Sequence, residues 1–121
     1  DADGAPIPTP APPNGNAGVT GLPLVAGVVT GPVVIASPQR EWPPDLAERI
    51  LVVPDPSPLW TEPALTAAAV VIASGGVLSH LALLCRERGV PSITAAVDAH
   101  RTLQEGDRVT VDGARGEVRP C

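Results

Sequence analysis

Apolar residues in this chain come in short bursts separated by glycine and proline. From Val19, the segment Gly21-Leu22-Pro23-Leu24-Val25-Ala26-Gly27 leads into Val28-Val29-Thr30-Gly31-Pro32-Val33-Val34-Ile35-Ala36. The second stretch is rich in β-branched residues and predicts a strand. Gly31-Pro32 marks a bend or an edge, because proline has no N–H for a central ladder. Ser37 to Pro44 reads as a turn region, and Asp45 to Arg49 predicts one helical turn with Asp45 as its cap. Ile50-Leu51-Val52-Val53 is a short, wholly apolar strand, stopped by Pro54-Asp55-Pro56. Ser57 to Trp60 reads as a loop. Thr61 to Leu65 opens a helix capped by Thr61, with Pro63 in its first turn. Ala69 to Ala73 predicts a second buried strand that runs straight into Ser74-Gly75-Gly76.

A helix follows over about Ser79 to Arg88, with Leu81, Leu84 and Cys85 at i, i+3, i+4 spacing on one face. Arg86 and Arg88 fall in its last turn, where cations are favoured, and Gly89 suits the residue after a helix end. Pro91 to Thr94 resumes extended structure. Asp98 to Leu103 is a turn with a helical piece. Arg108 to Asp112 and Glu117 to Arg119 flank a glycine-bearing turn and predict a β-hairpin, with Val109 and Val111 facing Val118. Two of the short strands each precede a helix, so part of the sheet is expected to be parallel.

Composition sharpens this picture. The chain has 121 residues, 44% hydrophobic, with no Phe, Tyr or Met and only Trp42 and Trp60 as aromatics. Its core must be built from Val, Leu, Ile and Ala, which suits small β layers covered by short helices. Residues 1–18 hold Pro, Ala, Gly and Asn with almost no large apolar side chains, and read as a flexible linker or arm. Residues 19–121 read as one domain. The absence of Met, even at position 1, points to a fragment or a processed product.

The formal net charge is −5, and no basic patch is visible, so no nucleic-acid partner is expected. No apolar run approaches the ~20 residues of a membrane-spanning helix, and the acidic, proline-rich start does not resemble a secretory signal. Two cysteines, Cys85 and Cys121, do not make a disulfide framework, so a reducing, cytoplasmic setting is expected.

The segment with most chemical content is Gly75-Gly76-Val77-Leu78-Ser79-His80 at the start of the second predicted helix. The free N–H groups and dipole of a helix start favour negative charge. Imidazole titrates close to neutral pH, so a nucleophilic neutral form is available to attack phosphorus. Gly75 and Gly76 allow close backbone approach, and Ser79 can cap the helix or donate to a phosphoryl oxygen. A histidine at a helix start is also commonly a cap or a surface residue, and spacing leaves both roles open. Other chemistries have less support. Only His80 and His100 exist, without clustered Cys, so no metal site is expected. Adjacent Ser79 and His80 do not face each other as a hydrolytic dyad would. There is no Walker-type loop and no Lys in the chain.

Gly75-Gly76-x-x-Ser79-His80, with Arg86 and Gly89-Val90-Pro91, resembles the phosphohistidine signature of the mobile domain of PEP-utilising enzymes. That family includes phosphoenolpyruvate synthase, pyruvate phosphate dikinase, enzyme I of the sugar phosphotransferase system and rifampicin phosphotransferase. The similarity extends to Gly21–Gly31, to Ile50–Val53 with Trp60-Thr61, and to Leu103–Gly113 with Gly116-Glu117-Val118.

The resemblance implies an α/β fold: a swivelling β/β/α phosphohistidine domain with mixed sheet layers and a few short helices. It implies a phosphoryl-carrier role within a larger phosphotransferase, inactive alone. His80 would accept a phosphoryl or pyrophosphoryl group, supported by Gly75, Gly76 and Ser79. Partners would be an ATP-grasp-like nucleotide-binding domain and a PEP- or substrate-binding domain. ATP and Mg would bind there, and no cofactor on this domain itself. The sequence departs from common family residues at Ala73, Leu78, Leu81, Ala95 and His100. These departures motivate the alternative of a non-catalytic docking module that keeps the fold.

Overall fold

The computed structural model describes residues 18–121. Apart from Gly18, the expected arm over residues 1–18 lies outside the described residues. Eight strands are present: β1 (Val19–Thr20), β2 (Leu22–Val25), β3 (Val28–Ile35), β4 (Ile50–Val53), β5 (Ala69–Ile72), β6 (Ser92–Thr94), β7 (Arg108–Asp112) and β8 (Glu117–Pro120). Three α-helices join them: α1 (Thr61–Thr66), α2 (His80–Arg88) and α3 (Ala99–Thr102). Leu46–Glu48 and Pro58–Trp60 form single 3-10 turns.

The strand order is β1-β8-β7-β3-β4-β5-β6-β2. Strands β3, β4, β5 and β6 pair in parallel, and β2 lies antiparallel on β6. β7, β8 and β1 extend the other side, each antiparallel to its neighbour. The mixed sheet with a parallel centre agrees with the expectation from strands that each precede a helix.

β3 belongs to both halves. Val28 to Pro32 pair with β7, whereas Val33 to Ile35 pair with β4. The strand therefore runs through Gly31-Pro32 without ending, and the proline marks where it passes from one half to the other. Gly31 is needed there: a Cβ would stand 2.7 Å from the Glu48 carbonyl oxygen. Beyond Pro32, the β7 side of β3 is closed by the turn before β7. Val33 N–H donates to the Asp107 carbonyl at 2.8 Å, and Ile35 N–H to Glu105 Oε1 at 2.7 Å. A carboxylate thus completes a ladder where the strand partner has run out.

Period-two alternation splits the core in two. Ile50 and Val52, with Ala69, Val71 and Ile93, join Val109, Val111 and Val118 in one buried cluster between strand layers. Leu51, Val53, Val70 and Ile72 face the other way and pack with Trp60, Ala64, Leu81 and Cys85 under the helices. The result is a β/β/α layering, as the sequence led one to expect. Each face of β4 and β5 is covered, which is why both strands read as continuous apolar runs.

Local details differ in places. Asp45 does not cap its turn; Arg49 Nε donates to its carboxylate at 2.7 Å instead. Helix α1 includes Thr61, and no side-chain cap bond closes its start. The expected loop over 57–60 is a 3-10 turn, with Ser57 Oγ accepting from Leu59 N–H at 3.2 Å. In the hairpin, Val111 stands opposite Val118 and Val109 opposite Pro120.

Candidate functional site

Of the predicted site residues, Gly75, Gly76 and Ser79 fall on the connection between β5 and α2, and His80 is the first residue of α2. In parallel α/β units, such connections leave the carboxyl ends of strands, the customary place for binding loops. β5 ends at Ile72, and α2 begins at His80. Ser79 is the N-cap, with extended backbone, and its Oγ accepts from Ala82 N–H at 3.3 Å. The cap leaves the hydroxyl proton of Ser79 available to donate. The first helical residues, His80 and Leu81, have no intrahelical acceptor for their N–H groups. His80 is exposed, and Leu81 and Ala82 beneath it are buried. The imidazole therefore stands at the positive end of a helix that is anchored by its other face. That face is Leu81, Ala82 and Cys85, with Leu84 only half-buried, so Ala82 takes part of the expected role of Leu84.

The loop before the helix is fastened at both ends. Ser74 Oγ donates to the Pro54 carbonyl at 2.8 Å, on the connection after β4. Thr94 Oγ1, at the end of β6, donates to the Gly75 carbonyl at 3.2 Å. Ser79 N–H donates to the Gly76 carbonyl at 3.2 Å. Both glycine carbonyls are thereby engaged within the fold rather than presented to an anion.

Gly75 has φ of +101°, and a Cβ there would lie 2.9 Å from Pro56 Cγ. Conformation and space both call for glycine. At Gly76 a Cβ would meet no described atom within 4 Å, so this backbone is open to close approach. His80, Ser79 and Gly76 thus lie around one exposed helix start, with Gly75 shaping the turn below them.

Thr94, Ser74 and Pro56 carry no local sequence signal that marks them as supports of this loop. They lie on other connections, and only the sheet order brings them to the loop. Ala95 stands where a glycine is common in the resembling family. It has φ of +56°, in the left-handed region that favours glycine. The other departures sort by exposure. Ala73 and Leu81 are buried core residues, Leu78 is 76% exposed, and His100 is exposed on α3, outside the loop. Arg86 is exposed in the last turn of α2, six residues along the helix from His80 and so about 9 Å from it along the axis.

Among the described residues, no group of three or more His, Cys, Asp or Glu is placed to hold a metal ion. No helix among them is long and apolar enough to cross a membrane. Cys85 and Cys121 are both free.

The sequence profile of the family described as the mobile domain of PEP-utilising enzymes matches residues 46–116. The chain is 35% identical over 100 residues to the uncharacterized phosphotransferase YvkC of Bacillus subtilis, covering 83% of this chain and 12% of that protein. It is 34% identical over 119 residues to phosphoenolpyruvate synthase of Aeropyrum pernix, covering 98% of this chain and 14% of that protein. The chain thus spans about an eighth of the length of these relatives. Among solved structures, a chain of aconitase X from Thermococcus kodakaraensis superposes with a TM-score of 0.65 at 18% identity, covering 86% of this chain and 98% of that chain. An enzyme I structure matches with a TM-score of 0.51 at 24% identity, over 60% of this chain and 30% of that chain. At such identities the structural likeness speaks for the fold alone.

Proposed function

The chain belongs to the family of PEP-utilising enzyme mobile domains, and from that footing we propose that it is the phosphoryl carrier of a larger phosphotransferase, with His80 as the acceptor. The observation that carries this reading is the placement of His80. It is exposed, first in its helix, capped by Ser79 and preceded by a Gly75-Gly76 turn whose carbonyls are engaged elsewhere.

In the proposed step, a neutral imidazole nitrogen attacks phosphorus in line with the donor's P–O bond. The N–P bond forms as the P–O bond breaks, and the bonding pair leaves on the donor oxygen. The N–H groups at the helix start and the Ser79 hydroxyl stabilise the phosphoryl oxygens. In the second half-reaction an acceptor oxygen attacks the same phosphorus, the O–P bond forms as the N–P bond breaks, and the bonding pair returns to the imidazole nitrogen. A phosphoramidate suits a carrier because the nitrogen leaves readily once protonated.

Donor and acceptor sites belong, in this proposal, to other domains. One is a nucleotide-binding domain of the ATP-grasp kind with its Mg. The other is a PEP-, pyruvate- or other substrate-binding domain. A cytoplasmic location goes with this reading, since free, unpaired thiols fit a reducing compartment.

The test is phosphorylation of the full-length protein that contains this chain, with labelled ATP or PEP. The expected result is one acid-labile, base-stable phosphoryl group on His80, abolished by His80→Ala and retained by Arg86→Ala. Label surviving in the alanine variant at position 80 refutes the assignment. A wild-type protein that binds its partner domains yet gains no phosphoryl mass favours the non-catalytic docking module.

A further inference from the structure

The peptide plane between Gly75 and Gly76 has two orientations open to it. Reversing such a plane changes ψ of the residue before it and φ of the residue after it, and two glycines accept both settings. A trans peptide holds its C=O and N–H pointing in opposite directions. The orientation therefore decides what the turn shows to an anion beside His80. With the carbonyl outward, an oxygen repels the anion. With the carbonyl inward, the Gly76 N–H points out as a donor. Nothing in the glycine pair itself chooses between them.

A residue outside the motif makes the choice. Thr94 lies fourteen residues beyond His80 in sequence and is buried at the end of β6. Its Oγ1 donates to the Gly75 carbonyl at 3.2 Å and draws that oxygen into the fold. No peptide bond among the described residues is cis, so the Gly76 N–H is directed away from Thr94. Among the described residues this N–H has no acceptor, and Gly76 is exposed. Ser79 N–H, bonded to the Gly76 carbonyl at 3.2 Å, keeps this glycine within one turn of the histidine. The side chains between them, Val77 and Leu78, have no polar group to offer.

Thr94 is itself firmly held. Leu22 of β2 pairs opposite it, and Ala96 N–H donates to the Ile72 carbonyl at 3.0 Å, at the end of β5. Between these restraints Ala95 keeps its left-handed φ of +56°. Backbone strain of this kind persists where the surrounding structure fixes a group in place, and it collects at functional sites.

Resting on the carrier reading above, we infer that Thr94 is a positioning residue for phosphoryl transfer: its hydroxyl sets the Gly75-Gly76 peptide so that the Gly76 N–H donates to the phosphoryl oxygens on His80. The donor is then in place before the group arrives, and no reorientation is needed as charge develops.

Phosphoramidate labels exposed histidines directly, so the 121-residue chain can be tested without a partner domain. The imidazole–phosphorus bond forms as the bond to the departing ammonia breaks. His80 and His100 are both exposed, and His100, outside the loop, serves as an internal reference. In Thr94→Val the labelling rate at His80 relative to His100 is expected to fall about tenfold, less than the hundredfold or more of an oxyanion donor in a water-excluded site. Thr94→Ser keeps the hydroxyl and is expected to keep the wild-type ratio. In spectra of ¹⁵N-glycine-labelled chain, the Gly76 amide proton is expected to move downfield on phosphorylation in wild type and Thr94→Ser, and to stay in place in Thr94→Val. An unmoved Gly76 amide in wild type overturns the inference, whether or not the valine variant folds. So does a wild-type ratio or a persisting Gly76 shift in Thr94→Val, or a lowered ratio in Thr94→Ser. A Gly76 response to phosphoramidate in a protein whose full-length form never labels His80 from ATP or PEP removes the carrier reading and leaves the donor geometry standing.

Discussion

Thr94 Oγ1 donates a hydrogen bond to the Gly75 carbonyl at 3.2 Å, tying the end of β6 to the loop that delivers His80. Thr94 is buried, and its partner precedes the histidine by five residues. Replacing it with valine keeps shape and strand preference but removes the only group that makes this bond. Thr94→Val is expected to cost about 0.5–1.5 kcal/mol in denaturant unfolding. It should also speed amide exchange over residues 75–79 while leaving β4 and β5 unchanged. Equal loss of protection throughout the sheet would assign Thr94 to general packing instead.

Ala95 and Gly75 make a complementary pair of tests. Both have positive φ, +56° at Ala95 and +101° at Gly75, yet only one is glycine. An L-residue in the left-handed region costs about 1–2 kcal/mol, whereas glycine costs about 0.5–1 kcal/mol through unfolded-state entropy. Ala95→Gly is therefore expected to stabilise the fold by up to about 1 kcal/mol. Gly75→Ala should destabilise it by more than that, because its Cβ would meet Pro56 Cγ at 2.9 Å. Urea unfolding midpoints at constant m-value read both effects.

Glu105 is expected to give the protein part of its acid sensitivity. Partial burial pushes its carboxyl up, but the Arg40 guanidinium, the Ile35 N–H and the more distant Arg49 charge outweigh that, holding it below the usual glutamate value. Arg40 donates to both carboxylate oxygens, at 2.8 and 2.9 Å. A folded-state pKa below the unfolded one means that the unfolded chain binds the proton more readily. The stabilisation is then present above the ordinary glutamate pKa of about 4.3, and is lost as pH falls through the folded value. Glu105→Gln should cost under about 1 kcal/mol at pH 7, as an exposed ion pair does, and should flatten the stability profile below about pH 5. Parallel acid limbs for the two proteins would show that another carboxylate governs it.

The two thiols should separate cleanly under alkylation. Burial pushes the Cys85 thiol up, and a hydrogen bond with Ser92 only partly opposes this. Cys121 is exposed at the end of the chain. A thiol reagent at about pH 8 is expected to modify Cys121 at once and Cys85 only as the fold opens. The Cys85 rate should rise with denaturant. Comparable initial rates would mean that α2 opens locally far more often than its burial implies.

The helix bearing His80 was legible because its signals are local. Ser79 as cap, Arg86 and Arg88 in the last turn and Gly89 at φ of +71° all follow from positions near in sequence. The buried strands β4 and β5 were legible for a related reason, as apolar runs covered on both faces. Local signals also misled where a second local partner competed: Asp45 looks like a cap, but Arg49, four residues on, takes its carboxylate.

By itself, then, the sequence determined the family, the helix start that presents His80, and the character of the core, since caps, periodicity and motif spacing act between neighbours in the chain. Tertiary structure alone decided the rest. It passed β3 from β7 to β4 at Pro32, brought Thr94 and Pro56 to the glycine turn, and set Ala95 in a strained backbone region. Parallel strands are joined by long crossovers, so residues at one end of the sheet are distant in sequence. Pairing order, which no local propensity encodes, determines which of them meet.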